Sequence, residues 1–139
     1  MTKNFVSPYE VSAMPYVQIR LFSQSPFNPS RLGAEATRLM AEIMRKRREV
    51  TVVEVVTTPG GWFAGGEAVV GPAAYVDVKI TRGTNSEAEK QRLLEALHTV
   101  IERELGPLAA PAYVVIHELP ASDWGYDGRA QAARLAGSL

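Results

Sequence analysis

The chain carries the same strand-like segment twice. Residues 15–22 read PYVQIRLF and residues 74–81 read AYVDVKIT, so apolar side chains alternate with polar or aromatic ones in both segments. A period of two is typical of a β-strand with one apolar face. Each segment is followed by a helical pattern, a second apolar strand and a loop containing tryptophan and glycine. The sequence therefore predicts a duplicated unit, with repeats at 15–67 and 74–128.

The first repeat is interpreted as strand, helix and strand in that order. Ser30 precedes a pattern of apolar residues on one helical side, and a serine there can accept a hydrogen bond from the first turn. The helix is predicted to end in the basic run 45–48, because positive charge favours a helix carboxyl end. Residues 50–56 are mostly apolar and predict an interior strand.

The second repeat has clearer helix boundaries. Ser86 and Glu89 have the spacing of a capping box, in which each side chain bonds a backbone N–H near the other residue. Gly106 and Pro107 are typical of a helix end. Residues 113–119 predict the fourth strand.

Two strand–helix–strand units with right-handed crossovers predict an α+β fold, a four-stranded sheet with both helices on one face. The other face would carry amphipathic and charged side chains, which could stay in water or line a subunit interface. These are Tyr16, Gln18, Arg20, Tyr75, Asp77 and Lys79. An unrelated ferredoxin-like domain has the same element order and is the alternative fold.

Composition excludes several classes of function. The chain has 139 residues, of which 46% are hydrophobic, and this is enough for one domain with a core. Its formal net charge of +0 gives no field that would favour nucleic acid or a membrane surface. It has no cysteine, which suits a cytoplasmic protein. No apolar run reaches the roughly 20 residues of a membrane span.

Familiar metal and phosphate motifs are also incomplete. His117-Glu118 lacks the second histidine of a zinc helix, and His98 has no evident partner. The Gly60–Gly66 loop lacks the lysine and hydroxyl residue of a phosphate loop. We therefore predict neither a metal nor another cofactor.

Three segments carry a resemblance to a known family. They are PYVQI after Met14, GTNSE at residues 83–87, and VIHELPASDWGYDGR at residues 115–129. Over residues 15–133 the chain resembles the tautomerase superfamily. It is similar to its two-unit members, such as malonate semialdehyde decarboxylase and macrophage migration inhibitory factor, whereas 4-oxalocrotonate tautomerase has a single unit. The resemblance implies a homotrimer, a small keto or enol acid as substrate, and an amino-terminal proline as general base.

The matching proline is Pro15, which becomes a base only if nothing precedes it. A free secondary amine has a lone pair that accepts a proton, whereas an amide nitrogen has none to offer. Glu10-Val11 can be encoded as a ribosome-binding sequence ahead of the Met14 codon, so residues 1–13 are interpreted either as a start-site artefact or as a native extension. In the second case the alternative function is a non-catalytic trimeric binding or scaffold protein.

The resemblance also implies a pocket. Its predicted substrate-binding residues are Phe22, Arg82, Tyr113, Trp124 and Tyr126. The arginines with which the family's dicarboxylate tautomerases bind substrate have no counterpart, which argues against a dicarboxylate. Arg82 has the alternative of a solvated loop cation, and both tryptophans, like other aromatics beside glycines, have the alternative of a structural role.

Overall fold

A computed structural model describes residues 15–133 of the chain. Four strands form one mixed sheet: β1 (Tyr16–Phe22), β2 (Val52–Thr57), β5 (Ala73–Thr81) and β6 (Tyr113–Leu119). Four shorter strands form two hairpins: β3 (Phe63–Ala64) with β4 (Glu67–Ala68), and β7 (Gly125–Tyr126) with β8 (Arg129–Ala130). The order across the large sheet is β2-β1-β5-β6. Within each repeat the strands are parallel, and the repeats meet where β1 runs antiparallel to β5.

Two helices, α1 (Pro29–Glu42) and α2 (Glu87–Leu105), pack against each other and against the large sheet. The alternating apolar residues of the central strands all lie in their shared core. These are Val17, Ile19, Leu21, Val76, Val78 and Ile80, each at most 1% exposed. Burying one such side chain contributes about 1.5–3 kcal/mol. Both helices therefore cover one face, and the predicted α+β fold is confirmed.

The helix starts follow the chemistry of their first residues. Helix α2 has the predicted capping box, with the Ser86 hydroxyl and the Glu89 carboxylate each bonded to the other's backbone N–H. Helix α1 does not begin at Ser30 as predicted. Its cap is Asn28, whose Oδ1 accepts from the Arg31 backbone N–H at 3.1 Å, and Pro29 occupies the first turn. Proline suits that position because its missing N–H would be unpaired there anyway.

The basic run 45–48 is not the end of helix α1, so our interpretation of it as terminal helix charge is wrong. The helix ends at Glu42, and Arg45 has a left-handed backbone with φ 61°. That turn sends Lys46 inward, where it is only 3% exposed. A short 3-10 helix (Arg48–Val50) follows, and it delays the second strand to Val52.

The sheet face without helices is polar and internally hydrogen-bonded. The Tyr16 hydroxyl donates to Glu54 Oε1 at 2.6 Å, and the Gln18 amide donates to the same oxygen at 3.0 Å. In the second repeat, Asp77 Oδ1 accepts from the Tyr75 hydroxyl at 3.0 Å and lies 2.7 Å from His117 Nε2. Burial alone would raise the pKa of Asp77, but these two partners outweigh it and hold that pKa below its usual value.

Candidate active site

A cavity of about 240 Å³ lies at the amino-terminal end of β1. Residues from four parts of the chain line it: Pro15, Tyr16, Val50, Val52, Lys79, Trp124, Gly125 and Tyr126. The antiparallel pairing of the repeats explains this meeting, because it places the start of β1 beside the end of β5, with Tyr16 opposite Lys79. The hairpin that follows β6 then reaches the same end of the sheet.

Pro15 is buried at this cavity. Its carbonyl oxygen accepts from the backbone N–H of Val52 at 3.5 Å, which ties it to the edge strand β2. The side chains of Val50 and Val52 supply an apolar wall beside it. The ring is thus held at a fixed place in apolar surroundings.

The hairpin β7–β8 provides the aromatic wall. Its loop residues Asp127 and Gly128 have φ values of 53° and 81°, as the two-residue turn that joins tight hairpins requires. The Trp124 indole N–H donates to Thr81 Oγ1 at 3.1 Å, and Thr81 is itself buried. A Cβ atom on Gly125 would lie 1.9 Å from the carbonyl oxygen of Arg129. Only glycine therefore allows the close strand pairing that holds Trp124 at the cavity.

Lys79 is the cation of the cavity. Its side chain has no hydrogen-bond or ion-pair partner among residues 15–133, so its ammonium group is available to an anionic ligand. The sequence analysis placed Lys79 on the uncovered sheet face but did not include it in the pocket. No local pattern marked it as a pocket residue, because its place at the cavity depends on the pairing of β5 with β1.

One protomer brings only part of the predicted pocket together. Pro15, Trp124 and Tyr126 line the same cavity. Arg82 is exposed and follows the last residue of β5, and its backbone N–H donates to the Leu119 carbonyl at 2.9 Å. Its side chain does not line the cavity.

Phe22 and Tyr113 lie at the opposite end of the sheet. Phe22 is paired with Ala73, and Tyr113 is paired with Tyr75 near the start of β5. The side chain of Tyr113 is 68% exposed. Within one protomer, neither residue reaches the cavity at Pro15.

A buried polar cluster lies behind the loop that supports Trp124. Lys46 Nζ donates to Thr84 Oγ1 at 3.0 Å, and that hydroxyl donates to the Thr81 carbonyl at 2.7 Å. The Arg45 guanidinium bonds both carboxylate oxygens of Glu89, at 2.8 and 3.0 Å. Burial, with the charge of Arg45, lowers the pKa of Lys46 to about 7. The hydrogen bonds from Arg45 lower the pKa of Glu89 to about 2 against the opposing effect of burial.

Residues 15–133 contain no group of three or more histidine, aspartate or glutamate side chains that could hold a metal ion. None of the helices described there has the length and apolar character needed to cross a membrane.

Comparisons with known proteins agree with the fold. The sequence model of the family described as tautomerase enzyme matches residues 75–134. No curated protein matches the chain. Among solved structures, a macrophage migration inhibitory factor-like protein from Entamoeba histolytica is 23% identical, with a TM-score of 0.70, and the match covers 84% of this chain and 98% of that one.

Two further structures have the same fold at lower identity. The Pt0534 protein, in a structure described as inactivated by 2-oxo-3-pentynoate, is 18% identical with a TM-score of 0.76. A fused 4-OT, in a structure described as a symmetric trimer, is 18% identical with a TM-score of 0.74. Each match covers 86% of this chain and 98% of the other chain. The tautomerase model thus matches the second repeat, and residues 15–133 share the fold of these solved structures.

Proposed function

We propose that the chain is a tautomerase-type isomerase that moves a proton on the carbon next to the carbonyl of a small 2-keto acid. The base is the ring nitrogen of Pro15 in a molecule whose chain begins at that residue. The observation that carries the proposal is the cavity itself, in which Pro15 lies buried beside three aromatic residues and the ammonium group of Lys79, which has no partner among residues 15–133.

The apolar surroundings suit an amine that must work as a base near neutral pH. An unperturbed α-amino group titrates at about pH 8, and removal from water favours its neutral form. Val50 and Val52 provide such surroundings. A neutral secondary amine has the lone pair that proton abstraction needs, so burial at this cavity favours the active form.

The proposed reaction is a balanced proton shift. The Pro15 nitrogen takes a proton from the carbon beside the keto group, and the electrons of that C–H bond form the carbon–carbon double bond of an enolate. The proton then passes from the prolinium to the enolate oxygen and gives the enol, and the reverse sequence gives the keto acid. General base catalysis of this kind contributes about 10²–10⁴-fold to a rate.

Lys79 is proposed to bind the substrate carboxylate. Its ammonium is the cation that lines the cavity, and a carboxylate there would gain a charge-assisted hydrogen bond. Trp124 and Tyr126 would pack against the substrate's planar part. A single lysine fits a monocarboxylate better than a dicarboxylate.

The active molecule is proposed to be a homotrimer. The fused 4-OT that shares this fold is described as a symmetric trimer. Val52 and Tyr113 lie on the two edge strands, 55% and 68% exposed, and such side chains suit a subunit contact. In a trimer, Phe22 and Tyr113 of a neighbouring subunit would complete the pocket that a single protomer leaves open.

The state of the Pro15 nitrogen decides between two functions. In the 139-residue chain Met14 precedes Pro15, so that nitrogen is an amide and carries no basic lone pair. The second candidate function is therefore a non-catalytic trimeric binding or scaffold protein on the same fold, with the cavity as its ligand site. An absence of isomerase activity in a chain that begins at Pro15 would favour this second candidate.

The test is the ketonisation of an aryl enolpyruvate, followed by ultraviolet absorbance, with a chain that begins at Pro15. Pro15→Ala should lower kcat/KM by about 10²–10⁴-fold. Lys79→Gln should raise KM by about tenfold, as expected for the loss of one charged hydrogen bond. Arg82→Gln is the matched control and should have a smaller effect on KM. Equal activity of the Pro15→Ala and parent chains would refute the mechanism.

Chemical labelling gives a second readout of the same nitrogen. 2-Oxo-3-pentynoate has an alkyne conjugated to its keto group, so an amine can add to the distal alkyne carbon while a proton moves to the adjacent one. One molecule of reagent should add to the chain that begins at Pro15, and peptide mass spectrometry should locate it on Pro15. Labelling only at lysine side chains would contradict the proposal.

A further inference from the structure

A second cavity of about 570 Å³ lies at the other end of the sheet, near the carboxyl end of β1. Six side chains line it: Arg20, Thr58, Trp62, Phe63, Tyr75 and Asp77. We infer that this cavity is a separate binding site for an aromatic monocarboxylate, which it holds without chemical change. The inference does not depend on the state of Pro15.

The internal duplication relates the two cavities. In the first, Lys79 lies opposite Tyr16, and in the second, Arg20 lies opposite Tyr75. The repeat alignment exchanges these pairs, because Tyr16 corresponds to Tyr75 and Arg20 to Lys79. Each cavity thus combines a cation and a tyrosine on adjacent strands. The same combination predicts the same class of ligand.

Each cavity also receives the tryptophan that precedes a hairpin. The hairpin loop in the first repeat is Gly65-Gly66, with φ values of 60° and 81°, close to those of the corresponding loop in the second repeat. The Trp62 indole N–H donates to Thr58 Oγ1 at 2.8 Å, which fixes the ring. A Cβ atom on Gly61 would lie 3.0 Å from the ring of Phe63. Glycine therefore leaves room for the Phe63 ring at the cavity wall.

Arg20 and Asp77 both line the second cavity, and of the two only Arg20 is free, within residues 15–133, to bind a ligand. Asp77 is already engaged by Tyr75 and His117. The hydrogen bond to Asp77 raises the pKa of Tyr75, even though the nearby Arg20 charge lowers it. Arg20 itself has no hydrogen-bond or ion-pair partner in the described part of the chain. A guanidinium without a partner is suited to bidentate binding of a carboxylate.

The aromatic part of the ligand has a surface to pack against. Phe63 is 70% exposed, and it lines the cavity together with Trp62. Exposed aromatic residues next to an arginine are common in binding sites, because they bury apolar area without losing many rotamers. The ligand expected from these groups has one carboxylate and one aromatic ring.

The second cavity lacks the base of the first. The residue that corresponds to Pro15 is Ala74, which is 3% exposed and lies inside the chain. Its nitrogen is an amide in every form of the protein that retains both repeats. A keto acid held here would therefore be bound and released unchanged, whether or not the first cavity is catalytic.

Tryptophan fluorescence can test this site in the full 139-residue chain. The chain has two tryptophans, so Trp124→Phe leaves Trp62 as the sole indole reporter. Titration with 3-phenylpropionate should change its emission with saturation. In the same background, Arg20→Gln should weaken binding by about tenfold, as expected for one charged hydrogen bond. Lys79→Gln is the matched control at the first cavity and should leave the affinity unchanged.

A neutral ligand of the same shape separates charge from packing. 3-Phenylpropanamide should bind about tenfold more weakly than 3-phenylpropionate, because it lacks the charged hydrogen bond to Arg20. The inference is overturned if Trp62 shows no saturable response at millimolar ligand, if Arg20→Gln binds as tightly as the parent, or if Lys79→Gln abolishes the response. Circular dichroism and urea midpoints of each variant should match those of the parent, because Arg20 and Lys79 lie outside the core.

Discussion

Replacing Lys46 with methionine is expected to stabilise the protein at neutral and mildly acidic pH. The lysine is 3% exposed, and its amine donates one hydrogen bond to Thr84 Oγ1. Burial of the charged form, with the repulsion of Arg45, lowers the pKa of Lys46 from 10.5 to about 7. Methionine has a similar length and no charge to bury, so it removes the cost of placing an ammonium in the core.

The size and sign of the effect follow from the two pKa values. Between about pH 7 and about pH 10 the unfolded chain holds a proton that the folded chain has released, so stability rises with pH across this window. At about 1.36 kcal/mol per pKa unit, the destabilisation from Lys46 reaches about 5 kcal/mol below pH 7 and disappears as the pH rises above 10.5. Loss of the bond to Thr84 offsets about 1 kcal/mol of the gain in the variant.

The assay is urea unfolding followed by far-ultraviolet circular dichroism between about pH 6 and pH 10, at one protein concentration because assembly alters apparent stability. The variant should exceed the parent by several kcal/mol at the acidic end and lose this advantage at the alkaline end. Met44→Leu is the matched control, since it alters a neighbouring buried position without a charge. Its effect should be the same at every pH.

A stability difference between Lys46→Met and the parent that stays constant from pH 6 to pH 10 would refute the reasoning. It would mean that the Lys46 amine has the same proton affinity in the folded and unfolded chains. A variant that is less stable throughout would show that the bond to Thr84 outweighs the burial of charge. Either result would require a different account of the polar cluster behind Trp124.

Two further substitutions test the hairpin and the buried ion pair. Gly125→Ala should lower the free energy of unfolding by about 2 kcal/mol or more and change tryptophan emission, because the added Cβ would meet the Arg129 carbonyl. Gly33→Ala is the control inside helix α1, where nothing lies within 4 Å of the added Cβ. It should raise the free energy of unfolding by up to about 1 kcal/mol. Glu89→Gln should cost about 3 kcal/mol at neutral pH, because the Glu89 carboxylate is held by Arg45. The parent's advantage over Glu89→Gln should disappear as the pH falls from about 4.5 to about 2, and urea unfolding at several pH values would measure it.

Local patterns in the sequence were enough to predict most of the fold. Alternation identified β1 and β5, and the capping box of Ser86 and Glu89 correctly located the start of helix α2. The start of helix α1 was missed because Asn28 and Ser30 are both good caps. Pro29 between them was the deciding signal, since its ring favours the first turn.

The positions of Lys46 and Lys79 depend on tertiary contacts, which local sequence patterns do not show. The run 45–48 was interpreted as favourable charge at a helix carboxyl end. Only the structure shows that the chain turns at Arg45 and that Lys46 is buried against Thr84. Lys79 lies at the first cavity because β5 pairs with β1, and this pairing joins residues far apart in the sequence. The family resemblance also predicted Tyr113 as a pocket residue, but within one protomer Tyr113 does not reach the cavity at Pro15.

The central claim is that a free Pro15 nitrogen is the catalytic base. The most direct test compares a chain that begins at Pro15 with the 139-residue chain in the ketonisation of an aryl enolpyruvate, at equal concentration and pH. We expect the chain that begins at Pro15 to exceed the longer chain in kcat/KM by about 10²–10⁴-fold. Equal turnover by both chains would contradict the account, because the longer chain has only an amide at that nitrogen.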